Sequence, residues 1–223
     1  MELMKSGFHA DLQWKDLPRP EAMPSALKGR IIGGFSPYLR EAEPAKALDL
    51  FNRFRILCAL REGPHGIYYL NQLVEQVLKD EGLIKREGRW YAGRPVMIIR
   101  NDYNLRLFNG DVGITFTDPT LGNELRVFFP APDGSMRTFP PLRLPDHETV
   151  YAMTVHKSQG SEFDHVLFLM PDRSVPVLTR ELVYTAITRA KEKAEVWGKE
   201  EVFRSAVSRR IERISGLREA LWG

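Results

Sequence analysis

The sequence predicts an α/β fold interrupted by a small all-β insert, and three observations carry that reading. Continuous apolar runs at 54–60 ("FRILCAL") and 164–171 ("DHVLFLMP") have the character of strands buried on both faces of a parallel sheet. Helical patterns alternate with them, one marked by Leu70, Leu73, Val74, Val77 and Leu78 and another over 179–190. Between these stretches, from residue 93, the texture changes to short β-prone runs set apart by turn residues.

Composition bounds the function classes. A chain of 223 residues with 43% hydrophobic side chains can bury a sizeable core. Its 32 Lys and Arg against 29 Asp and Glu give a net charge of +3, which suits polyanion binding without the strong basic excess of a DNA-coating protein. Cys58 is the single cysteine, so an internal disulfide or a thiolate zinc site is excluded and a buried structural thiol is expected. No metal site is expected either. No run reaches the ~18–20 apolar residues that span a bilayer, and the N-terminus lacks the apolar core of a signal peptide, so a cytoplasmic location is the expectation.

Taken in order, residues 1–42 contain Pro18, Pro20, Pro24, Pro37 and the pair Gly33-Gly34, which predicts an irregular lead-in. A helix follows over 43–53 with Pro44 in its first turn. The strand 54–60 leads through "REGPHG" into the second helix, which ends near Gly82. The stretch "KREGRWYAGR" (85–94) interleaves Lys85, Arg86, Arg89 and Arg94 with Trp90 and Tyr91, a mixture that suits nucleic-acid backbone contact and base stacking but equally a solvated loop. Within 93–148, "RPVMIIR", "VGITFT", "ELRVFFP" and "MRTF" are four short strands of a small barrel or meander. The α/β pattern resumes at 149, so 43–92 and 149–223 form one domain around the insert. It comprises the strand 164–171, a helix over 179–190, the strand "AEVW" and a last helix, "KEEVFRSAVSRRIERI". In the helix 179–190, Leu182, Val183, Ala186, Ile187 and Ala190 share one face, while Tyr184, Thr185, Thr188 and Arg189 project from the other. The last helix has Glu200 and Glu201 at its start, Arg209, Arg210 and Arg213 near its end, and Gly216 beyond.

Chemistry concentrates in "TVHKSQGSEF" (154–163). Hydroxyl, imidazole and ammonium groups cluster before Gly160, which permits a tight turn, and together they make a phosphate-contacting surface. Glu162 can accept hydrogen bonds from sugar hydroxyls. Arg189, judged from its helix alone, reads as a solvated or ion-paired side chain.

The segment "YAMTVHKSQGSEF" (151–163) resembles motif V, and "ELVYTAITRAK" (181–191) motif VI, of superfamily-one DNA helicases in the RecD-like branch. "LCALREGPHGIYYLN" (57–71), "GRPVMIIRNDYNLRLFNGDVGI" (93–114) and "RLPDHETVYAMTVHKSQGSEFDHV" extend the resemblance over most of 43–218. It implies a second RecA-like, P-loop NTPase-like motor domain carrying an inserted SH3-like β-barrel. That domain would close over ATP and Mg²⁺ held by a first domain and work 5′ to 3′ on single-stranded DNA. Arg189 becomes the arginine that reaches the γ-phosphate, a role suited to a fixed, always-ionised guanidinium. Gly160 and Glu162 face the nucleotide, whereas Thr154, His156 and Lys157 face the single strand. Asn71 matches a family position, although a helical asparagine is also a simple cap or solvated residue. Asn101 either braces the entry of the insert or borders the DNA path. The implied partners are an N-terminal motor domain of the same subunit and the other subunits of a helicase–nuclease complex, with no membrane. No G-x-x-x-x-G-K-[ST] occurs, so the phosphate cradle, the magnesium ligands and the Walker B carboxylate are not in this sequence, and the arginine motif that opens such a second domain is not evident. The expectation is the C-terminal part of a longer subunit, inactive as an ATPase alone. A stand-alone RecD-like helicase and a non-catalytic DNA- or partner-binding module are the alternatives.

Overall fold

The computed structural model describes residues 11–209. Its framework is a parallel five-stranded sheet built from β1 (Leu12–Asp16), β2 (Phe54–Cys58), β8 (Ala152–Thr154), β9 (Phe163–Leu169) and β10 (Ala190–Gly198), in the order β1-β10-β9-β2-β8. β2 is buried at every position and β9 at most of them, which is why these strands read as unbroken apolar runs rather than alternating ones. Around the sheet lie α1 (Met23–Leu39), α2 (Pro44–Phe51), α3 (Ile67–Asp80), α4 (Arg180–Ile187) and α5 (Glu200–Ser208). Cys58 is fully buried in β2, and burial pushes its thiol up to about 12.

The expected irregular lead-in over 1–42 is corrected. Residues 12–16 add an edge strand to the main sheet, and 23–39 form a helix of 17 residues. Pro20 and Pro24 sit in the first turns of a 3₁₀ segment and of α1, where a missing N–H costs nothing. Gly34 is a contact residue: any Cβ there would overlap the Phe54 ring, so the glycine lets α1 lie directly on β2. The buried set Met23, Leu27, Ile31, Phe35 and Tyr38 keeps helical spacing through both glycines.

Two further expectations shift. The helix expected over 179–190 ends at Ile187, because the Thr188 hydroxyl bonds the carbonyls of Tyr184 and Thr185 and the chain then enters β10 at Ala190. Arg189 and Ala190 therefore lie beyond the helix. The last helix is described to Ser208, with Arg209 already extended and its guanidinium donating to the Val175 carbonyl and to Ser174 Oγ. Arg210, Arg213 and Gly216 fall outside the described residues.

The insert is an antiparallel sheet in the order β6-β5-β4-β3-β7, comprising β3 (Pro95–Ile98), β4 (Val112–Asp118), β5 (Glu124–Pro130), β6 (Met136–Phe139) and β7 (His147–Thr149). Val96, Ile98, Leu107, Val127 and Phe129 form its own small core. The fifth strand, β7, was not expected; its "HET" carries no apolar alternation. Only Val150 and Tyr151 separate β7 from β8, so the insert is linked by two buried residues to the main sheet. Arg55 braces that link. Its fully buried guanidinium donates to the Val150 carbonyl at 2.6 Å and lies over the Phe51 ring at 4.0 Å.

A hydroxyl cluster closes the same junction. Tyr38 Oη donates to the Gly93 carbonyl at 2.8 Å, Tyr151 Oη lies 3.4 Å from Tyr38 Oη and 3.3 Å from Tyr91 Oη, and Tyr91 Oη donates to Glu75 Oε1 at 2.7 Å. Burial raises all three phenols above their ordinary value, so they remain protonated donors.

Candidate functional site

The segment 154–163 joins β8 to β9, both buried strands of the main sheet. Val155–Ser158 form a 3₁₀ turn whose N-cap is Thr154, its Oγ1 accepting from the Lys157 N–H at 3.4 Å. Val155 and Ser158 point inward, and Ser158 Oγ donates to the Val155 carbonyl at 2.8 Å. Two buried anchors thus leave His156 and Gln159 exposed on the outer side. Lys157 is half-buried, with its Nζ 3.6 Å from Glu148 Oε1 on β7. Gly160 follows at φ +84 with open space around it, so its conformation rather than crowding demands glycine.

Past the glycine the chain meets Arg189. The Phe163 N–H donates to the Arg189 carbonyl at 2.9 Å, and Arg189 Nη1 donates to the Ser161 carbonyl at 3.2 Å. Arg189 Nε has no hydrogen-bond partner among the described residues. Glu162 is exposed between these two contacts. The structure therefore brings Gly160, Glu162 and Arg189 together at one end of the segment and His156 and Lys157 at the other.

Thr154 is 8% exposed with its hydroxyl in the cap, which makes it the base of the turn rather than its outer face. Asn71, expected to face the DNA, makes its hydrogen bonds inside the fold while also lining a cleft with Arg89 and Arg94. Its Nδ2 donates to the carbonyls of Ile67 and Ala152 at 2.9 and 3.0 Å, and its Oδ1 accepts from the Ala152 N–H at 3.0 Å. Both amide hydrogens are engaged within the fold, clamping α3 to β8. Asn101 sits in the insert loop 100–110, where its Oδ1 accepts from the Asn109 N–H at 2.8 Å; its hydrogen bonds stay in that loop.

Sequence reasoning missed Glu148, Arg61 and Tyr68. Glu148 lies between Lys157 and Arg61, with Arg61 Nη2 at 3.1 Å, and Arg61 donates to Tyr68 Oη at 2.8 Å. No short-range pattern signals this chain of contacts, because its members come from β7, the loop after β2, and α3. Tyr91, grouped with Trp90 as an aromatic for stacking, is buried at 3% exposure and occupied by Glu75. Among the described residues no cluster of three His, Cys, Asp or Glu side chains could hold a metal ion, and no helix is long and apolar enough to cross a membrane.

Comparison with known proteins bears on this geometry. Residues 149–196, which contain the whole 154–163 segment and Arg189, match the family model of the UvrD-like helicase C-terminal domain. The chain is 44% identical over 187 residues to the RecBCD enzyme subunit RecD of Mycobacterium tuberculosis (strain CDC 1551 / Oshkosh), covering 82% of this chain and 32% of that subunit. It is 33% identical over 160 residues to the ATP-dependent RecD2 DNA helicase of Deinococcus radiodurans, covering 71% of this chain and 22% of that protein. Among solved structures, Pif1 helicase from Bacteroides in complex with ADP-AlF3 and ssDNA aligns at TM-score 0.46 and 15% identity, covering 92% of this chain and 54% of that one. The chain spans about a third of the length of the RecD subunits it matches.

Proposed function

We propose, from the premise that this chain fits the C-terminal part of RecD, that it is the second, RecA-like motor domain of an ATP-dependent 5′–3′ DNA helicase subunit of exodeoxyribonuclease V. On this reading the antiparallel insert is its SH3-like barrel. The subunit acts in double-strand break repair and recombination in the cytoplasm, with the beta and gamma subunits and an N-terminal motor domain as partners. The 44% identity to the RecD subunit of Mycobacterium tuberculosis, against 33% to the RecD2 helicase, supports the complex over a stand-alone enzyme, while the RecD subunits of Buchnera aphidicola, at 29–30%, do not separate the two.

One observation carries the reading: a single ten-residue segment is held at one end by Lys157–Glu148 and at the other by Arg189–Ser161. A change at either end is transmitted along a short backbone with one glycine pivot. Arg189 is a half-buried cation whose Nε lacks a partner among the described residues, beside exposed Glu162 at an open turn, and these residues fit one half of a nucleotide site. A bound nucleotide would supply the phosphoanhydride bond. Arg189 would hold a fixed positive charge against it, Glu162 would accept from its sugar, and His156 and Lys157 would contact the strand. Mg²⁺ would be held by residues outside this sequence, and this chain alone is expected to be inactive as an ATPase.

The test is Arg189→Ala in the full-length subunit. DNA-stimulated ATP turnover is expected to fall by about 10³-fold or more, with single-strand affinity within about twofold of wild type. Normal turnover sinks the assignment.

A further inference from the structure

Beside the 154–160 turn lies a cationic cleft that the roles above leave unexplained. α3, the 85–94 segment and β7 enclose a volume of about 450 Å³ lined by Arg86, Arg89 and Arg94, with Tyr68, Glu75 and Glu148. Both carboxylates are already engaged. Glu75 accepts from Tyr91 and lies 3.4 Å from Arg86 Nη2, while Glu148 is shared by Arg61 and Lys157. Arg89 has the His147 ring as its neighbour, at 3.2 Å, instead of an acid.

Arg94 is the most telling member. It is 6% exposed, its Nε and Nη2 share only the Thr149 hydroxyl at 3.1 and 3.0 Å, and its guanidinium lies 4.5 Å over the Trp90 ring. Its Nη1 has no hydrogen-bond partner among the described residues. Glu75 acts on this buried guanidinium only at a distance and no carboxylate bonds it, which leaves Nη1 open to an anion. Counting Arg61 and Lys157, five cations share two carboxylates around the cleft.

We infer that the cleft seats a backbone phosphate of single-stranded nucleic acid, held by Arg89 and Arg94, so that the strand runs from Lys157 past Glu148 into it. This rests on the reading that the 154–160 turn contacts a single strand. Planar guanidinium forks match phosphate geometry, and here Arg89 and Arg94 have no carboxylate bonded to them, Glu75 and Glu148 being engaged by Tyr91, Arg86, Arg61 and Lys157. A strand is favoured over a free anion because the cations continue outward to Arg61 and Lys157 rather than closing on one point. Tyr68, 46% exposed at the rim with its hydroxyl held by Arg61, offers a ring face on which a base can stack.

The experiment titrates a fluorescein-labelled oligothymidylate into the 223-residue chain at several salt concentrations, comparing wild type with R89A, R94Q and H156A. Arg89 is exposed, so R89A leaves the core intact; it is expected to weaken binding about 5- to 20-fold at low salt and to flatten the slope of log K against log salt by about 0.7. R94Q, verified as folded by its thermal melt, should match it, and if R94Q does not fold, R89A alone decides. Should R89A keep wild-type affinity and slope while H156A weakens binding, the strand does not enter the cleft and the inference is overturned, the proposed function standing. Absence of any binding by wild type at low salt overturns both. If inorganic phosphate perturbs the Arg94 side-chain NMR signals while the R89A slope is unchanged, the cleft belongs to a free anion and the inference is again overturned.

Discussion

The Asn71 amide stands in for a peptide group: it gives Ala152 on β8 both the donor and the acceptor that a neighbouring strand would supply. Asn71→Asp keeps the shape but loses both donors, leaving the Ile67 and Ala152 carbonyls facing a carboxylate. Urea denaturation should register a loss of about 2–4 kcal/mol, whereas an unchanged midpoint would mean that the clamp is not structural. A second buried polar residue adds a pH-dependent contribution to the stability. His65 is 3% exposed with Nε2 unpartnered among the described residues, and burial, partly opposed by Asp172, lowers its pKa below 6.5. Between that lowered value and 6.5 the unfolded chain binds more protons than the folded one. Stability therefore rises with pH through the window and falls as the solution is acidified below about 6.5. In His65→Gln the decline in urea midpoint between about pH 6.5 and 5 should be shallower than in wild type; parallel curves would assign the acid sensitivity to other groups. At this scale the turn around Gly160 was legible because its residue types and order are local, whereas Arg189 read as a solvated side chain from its helix alone and was singled out only by the family resemblance of 181–191. The sequence could not show that Asn71 faces inward, since that depends on β8, a strand 81 residues away.

α1 is the element whose sequence misled, and its two adjacent glycines explain why. Read as breakers, they have opposite physical roles. At Gly34 a Cβ would overlap the Phe54 ring, while at Gly33 an added Cβ would meet nothing within 4 Å. Gly34→Ala should destabilise by about 1–3 kcal/mol through overpacking of α1 on β2, and Gly33→Ala should stabilise by about 0.4–1 kcal/mol through chain entropy and helix propensity. Paired thermal melts read the contrast, and equal shifts for the two variants would remove the close approach as the reason for the glycine. β2, α3 and β9 were legible because their signals are intrinsic: unbroken apolar runs, or apolar residues at helical spacing. β1 and β7 were not, because each is a short edge strand, only partly buried and mostly polar. What makes them strands is the backbone beside them, β10 for the one and β3 for the other. The end of α4 was misplaced for a comparable reason, since Thr188 closes it through side-chain bonds that no apolar periodicity reports.

Across the whole molecule, the insert is tied to the main sheet by more than two crossing chains. The main core takes in Met97 and Ile114 from the insert, and the Tyr38–Tyr151–Tyr91–Glu75 cluster joins α1, the β7–β8 link, the 85–94 segment and α3. An insert held only by flexible linkers would unfold on its own, whereas one sharing buried apolar contacts and a buried hydrogen-bonded cluster should unfold with its host. Two tryptophans report the two sides: Trp90 packs on Arg94 and His147 beside the insert, and Trp197 lies buried in β10 with Nε1 donating to Glu195. In variants keeping only one or the other, urea unfolding followed by fluorescence should give coincident midpoints. Tyr91→Phe should then shift both midpoints together by about 1–3 kcal/mol, because it deprives buried Glu75 of its 2.7 Å donor at the point where the two sheets meet. Separate midpoints, or a shift confined to the Trp90 signal, would show the insert to be an independent unit. That would also remove the rigid backbone by which Glu148 on β7 positions Lys157 at the turn.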